Sequence, residues 1–131
     1  MRMRNKVVSD AIMAGGVATA EALTPELKAG LYEVGERPGH YQAFLSLLSH
    51  ERQWADARNF YAKIKIPTLL IYGDQDWAPA AQRKRTEGLI PGVMVKTIGK
   101  GGHFLSLDRP TELRELIVEF AALPPVSACL V

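Results

Sequence analysis

A short apolar run held between a proline and a glycine constrains this chain more than any other feature. Pro67 is followed by Thr68-Leu69-Leu70-Ile71-Tyr72 and then Gly73. The run is too short for a buried helix, and it fits a parallel strand covered on both faces. Pro79 then opens a helical stretch through Ala81, Arg83, Lys84 and Arg85, which Gly88 and Pro91-Gly92 stop. Val93 to Ile98 reads as a second strand. Val93, Val95 and Thr97 share one face and Lys96 takes the other, as an edge strand allows. Gly99 and Gly101-Gly102 form a loop around Lys100 that ends at His103. A last helix starts near Pro110, with Asp108 as its cap and Leu113, Leu116, Ile117 and Phe120 as its buried stripe. Pro124-Pro125 ends it, and the tail to Val131 is expected to be loose. Strand, helix, strand, helix is the order of an α/β protein with parallel strands.

Residues 1–63 carry no strand pattern. Thr24-Pro25-Glu26 is a helix start, with a hydroxyl cap and a proline whose missing N–H costs nothing in the first turn. Leu27, Leu31 and Val34 recur at helical spacing up to Gly35 and Pro38-Gly39. Tyr41, Phe44, Leu45 and Leu48 form the stripe of a second helix, widened by Leu47. Trp54, Ala57, Arg58 and Tyr61 suggest a third. The chain thus divides into a helical segment at 1–63, an α/β segment at 64–123 and a tail at 124–131.

Composition narrows the function classes. With 131 residues there is room for one domain, and 47% hydrophobic residues exclude disorder over most of it. No stretch is apolar enough to span a membrane. A formal charge of +2 is too small to point to nucleic acid or an anionic lipid surface. Cys129 is the single cysteine, so an internal disulfide is excluded. Arg2, Arg4, Lys6 and the A-x-A-like Ala18-Thr19-Ala20 imitate a secretory leader, but Ser9 and Asp10 interrupt its apolar stretch. The N-terminus instead reads as a translation start inside a longer domain, and a cytoplasmic location is expected.

The topology carries chemistry. Asp76 follows the first strand in Gly73-Asp74-Gln75-Asp76-Trp77, and His103 follows the second in Gly101-Gly102-His103-Phe104, 27 residues on. Adjacent parallel strands lie about 4.8 Å apart, so these loops are neighbours at the carboxyl edge where open sheets keep reactive groups. A carboxylate there accepts the proton of one imidazole nitrogen, fixes the tautomer, and stabilises the imidazolium formed when the other nitrogen takes a proton.

Ile66 to Trp77, Gly101-Gly102-His103-Phe104 and Leu107-Asp108-Arg109-Pro110 together resemble the C-terminal half of the α/β-hydrolase fold, with the match covering residues 64–121. The resemblance implies Asp76 as the triad acid, Asp74 being the runner-up, and His103 as the triad histidine. It implies that residues 1–63 are part of a helical cap. It also implies a small, largely apolar organic substrate, water as co-substrate and neither metal nor organic cofactor. The family's G-x-S-x-G-like nucleophile elbow has no counterpart here: Ser46 and Ser49 fall on a helix, and Ser106 follows the histidine. The chain therefore reads as the C-terminal portion of a hydrolase of about twice its length. The alternative is a non-catalytic fold remnant that acts as an interaction partner or an inactive fragment.

Other readings stand beside these. Asp74 is expected to form the turn, and His40 and His50 to lie on the surface. Trp77 either lines a substrate cavity or packs against the cap. Tyr41, Phe44, Leu45 and Leu48 are expected in the core, and Arg83-Lys84-Arg85 on a solvated helix face. A two-stranded sheet is marginal, and each buried unpaired backbone group costs about 1–3 kcal/mol. The isolated chain is therefore expected to be weakly stable, to self-associate, or to need the missing half.

Overall fold

A computed structural model describes residues 6–124. Cys129 and the tail from Pro125 onward, with the expectations placed on them, lie outside the described residues.

Among the described residues, six helical pieces precede the first strand. Helix α1 (Lys6–Gly16) leads through a short 3₁₀ turn, Ala20–Ala22, into α2 (Pro25–Gly35). The Thr24 hydroxyl accepts the Leu27 N–H at 3.2 Å and Pro25 opens the first turn, as the sequence predicts. Helices α3 (His40–Ser49) and α4 (Glu51–Ala57) follow, and a 3₁₀ stretch, Arg58–Lys63, leads toward the sheet.

Strands β1 (Leu69–Gly73) and β2 (Met94–Ile98) pair in parallel, with Leu69 opposite Met94 and Gly73 opposite Ile98. Helix α5 (Ala80–Leu89) makes the crossover and runs through Gly88 instead of stopping there. The Arg83 guanidinium donates to the Gly73 carbonyl at 2.8 Å and lies 5.6 Å from the centre of the Tyr72 ring. Arg83 is therefore no solvated charge: it fastens the crossover helix to the end of β1, while Lys84 and Arg85 stay exposed.

The last elements are a four-residue helix α6 (Leu105–Asp108) and α7 (Pro110–Ala121). Asp108 does not cap α7, whose cap position belongs to Arg109 and has no side-chain capping bond. In the α7 stripe Leu113, Leu116 and Phe120 are half-buried, but Ile117 is 50% exposed.

The apolar core is small. Leu23, Ile90, Ile98 and Leu105 are the buried hydrophobic residues among those described. Tyr41, Phe44, Leu45 and Leu48, expected in the core, are all exposed: their stripe is helical, but the described residues leave it uncovered. Buried positions gather instead where the strand ends meet: Gly16, Gly73, Gly101, Gly102, Ile98 and Leu105. Among the described residues no helix is long and apolar enough to cross a membrane.

Candidate active site

The loops that leave β1 and β2 are stitched together by their own backbones. The Asp74 N–H donates to the Ile98 carbonyl at 3.0 Å, and the Gln75 N–H to the Gly101 carbonyl at 2.9 Å. In return the Gly101 N–H donates to Asp74 Oδ1 at 3.2 Å. Asp74 is thus a loop-to-loop brace. The Lys100 N–H above all, then that of Gly101, holds its carboxyl below the usual aspartate value of 3.8, with burial opposing. So close an approach requires glycine at 73, where a side chain would run into the Gly101 and Gly102 carbonyls.

This brace brings Asp76 to His103. Asp76 Oδ1 lies 3.0 Å from His103 Nδ1, and the same oxygen accepts the Ala78 N–H at 2.8 Å. The two readings of an aspartate in such a turn are therefore both realised: Asp76 shapes its own turn and meets the imidazole. A carboxylate oxygen only accepts, so Nδ1 carries the proton and Nε2 of the neutral ring is the basic nitrogen. The Asp76 side chain is 7% exposed and that of His103 40%, so the carboxylate is shielded while the imidazole is open to solvent. Among the described residues Nε2 has no hydrogen-bond partner.

Aromatic rings fix the imidazole plane. Trp77 stacks on His103 with centroids 4.3 Å apart and planes 28° apart. Phe104 meets both rings edge-on at 5.4 Å. Trp77 is 47% exposed and covers one face of the imidazole. All three predicted site residues, Asp76, Trp77 and His103, are thus brought together.

Sequence reasoning missed the N-terminal contribution. The Phe104 N–H donates to the Gly16 carbonyl at 2.8 Å, and the Phe104 ring lies against Gly16. Asp108 Oδ2 accepts the Gly102 N–H at 2.8 Å and the Ala18 N–H at 2.9 Å, while Oδ1 accepts Ala18 and Thr19, both at 3.1 Å. Close approach fixes Gly102 as well, since a Cβ there would fall 2.6 Å from the Gly16 oxygen and 2.8 Å from the Ala18 nitrogen. An aspartate two residues before a helical proline carries the signal of a cap, and nothing local reveals partners 90 residues away.

His40 and His50 are exposed, as expected, and His50 Nδ1 lies 2.6 Å from the Ser46 carbonyl. Ser46 and Ser49 sit on α3 and Ser106 on α6, none of them in a strand–turn–helix setting. Among the described residues no cluster of three or more His, Cys, Asp or Glu side chains stands where a metal ion would be held.

No protein-family model matches the chain. A meta-cleavage product hydrolase, CumD from Pseudomonas fluorescens IP01, superposes with a TM-score of 0.77 over 92% of this chain and 46% of that one, at 23% identity. The chain has a partial α/β-hydrolase fold. Two curated relatives match part of the chain in sequence. A putative protein-lysine deacylase, ABHD14B of Rattus norvegicus, is 35% identical over 60 residues, which are 46% of this chain and 28% of the relative. A probable 1-acylglycerol-3-phosphate O-acyltransferase of Oryza sativa subsp. japonica is 41% identical over 49 residues, 36% of this chain and 12% of the relative. The matches thus span under a third of each curated relative and less than half of the solved hydrolase.

Proposed function

We propose that this chain is the C-terminal portion of an α/β-hydrolase and supplies the acid and the base of a nucleophile–His–Asp triad. The observation that carries this reading is the 3.0 Å contact between Asp76 Oδ1 and His103 Nδ1 at the carboxyl edge of two parallel strands. In the whole enzyme Nε2 of His103 takes the nucleophile's proton as the nucleophile attacks, and Asp76 stabilises the imidazolium. The imidazolium then protonates the leaving group. In the second half-reaction Nε2 takes a proton from water as that water attacks the acyl group, and the imidazolium then returns a proton to the departing nucleophile, which releases the acid product and restores the nucleophile.

Residues 1–63 act as part of a helical cap over the site, and their exposed apolar side chains face the substrate or the rest of the fold. Trp77, which covers one face of His103, forms part of the substrate wall. Both curated relatives carry names of acyl chemistry, which favours an ester or amide acyl group in a small, largely apolar substrate. The nucleophile comes from residues outside this chain, whether upstream in the same polypeptide or on a separate one that pairs with β1.

The test is to extend the reading frame upstream through a strand–turn–helix elbow and assay short acyl esters. The extended protein hydrolyses them, and His103→Ala abolishes the activity. An extended protein whose esterase activity survives His103→Ala overturns the proposal. Ester hydrolysis by the 131-residue chain alone, lost in His103→Ala, would place the nucleophile within it.

A further inference from the structure

We infer that Asp108 is a positioning residue for His103, and that it works by clasping the N-terminal segment onto the histidine loop. The inference rests on the acid–base reading of His103 given above. One carboxylate gathers three backbone donors from two distant stretches: Gly102, immediately before the histidine, and Ala18 and Thr19, 90 and 89 residues before Asp108. A second bond runs parallel to it, from the Phe104 N–H, immediately after the histidine, to the Gly16 carbonyl. His103 is thus held on both sides by the end of α1 and the residues that follow it.

The flanking contacts leave little slack. Gly102 lies against Gly16 and Ala18 with no room for a side chain, and the Phe104 ring packs on Gly16. The His103 loop otherwise rests on the Gln75–Gly101 and Asp74–Gly101 bonds, which support it from the β1 side only. Without Asp108, the Gly102, Ala18 and Thr19 N–H groups lose their acceptor together. The residue before His103 then loses its tie to the N-terminal segment, and the Phe104–Gly16 bond is left to hold the loop on that side. Charge-assisted bonds of this kind are the strong ones, and three donors on one carboxylate fix its orientation as well as theirs. The Asp108 carboxylate bonds backbone N–H groups and not the imidazole, so its action on the chemistry passes through the backbone of Gly102.

NMR on the 131-residue chain tests this, with ¹⁵N-labelled histidine and backbone amides. In Asp108→Asn, exchange of the Gly102, Ala18 and Thr19 amides accelerates about tenfold. The population of the Nδ1–H form of His103 falls about threefold, while amides of α5 are unmoved. Asp108→Glu keeps the carboxylate and restores part of the Nδ1–H population; it replaces the asparagine variant if that one does not fold. Faster amide exchange with an unchanged His103 tautomer would make Asp108 merely structural and overturn the inference, as would unchanged exchange. Asp76→Asn is the control. If the wild-type ring shows no preference for Nδ1–H and Asp76→Asn leaves it unaltered, the acid–base reading itself falls and this inference with it, a result distinct from an inert Asp108.

Discussion

The loops around His103 and the helices α2 to α4 obtain their order in opposite ways. Around the histidine, few side chains are buried, yet backbone groups from four stretches meet in hydrogen bonds, and the glycines at 73 and 102 leave no space between chains. In α2 to α4 the hydrogen bonds are local and helical, while Tyr41, Phe44, Leu47 and Trp54 stand in solvent. A site built on polar stitching holds its shape with a small core. Helices whose apolar stripes are uncovered rely on a surface that the described residues do not provide.

Breaking each region should have effects of different kind and size. The largest concerns chemistry in the extended enzyme. His103→Ala should lower kcat by about 10⁵-fold and Asp76→Asn by about 10⁴-fold, read from ester hydrolysis under saturating substrate. Next is the stitching itself. Gly73→Val drives a side chain into the Gly101 carbonyl and should cost about 3 kcal/mol or more, measured as a fall in the urea midpoint of unfolding. Arg83→Ala leaves the Gly73 carbonyl without its guanidinium donor and should cost about 1–2 kcal/mol by the same measurement.

The helical region should behave otherwise. Phe44→Ser or Leu47→Ser, both at exposed positions, should change stability by about 0.5 kcal/mol or less and should reduce self-association seen by sedimentation. A loss of stability as large as that of Gly73→Val would mean that these helices pack into a core after all. The smallest effect is on pH. The folded Asp74 carboxyl lies below its ordinary 3.8, so its contribution is complete above that value and is lost as pH falls through the folded pKa. Stability in acid should decline less steeply in Asp74→Asn than in the wild type.

What was legible in the sequence follows the same division. The β1–α5–β2 unit is announced by local signals: an apolar run between Pro67 and Gly73, a proline before a helix, and paired glycines. Once that order is known, geometry alone places Asp76 beside His103. Apolar stripes announce helices equally well, but they do not say what covers them. Ile117 and the α3 stripe therefore suggest a core, and the described residues do not enclose them. The roles of Asp108 and Arg83 are hidden from the sequence for a related reason. A cap and a solvated arginine are what their neighbours in sequence suggest, whereas their partners are Ala18, Gly102 and the Gly73 carbonyl.

Ring ¹⁵N spectra of His103, in the wild type and in Asp76→Asn, test the central claim most directly. A wild-type imidazole protonated at Nδ1, shifting toward the Nε2–H form when the carboxylate is replaced, is the predicted result. An Nε2–H ring in the wild type that ignores the substitution would contradict the account.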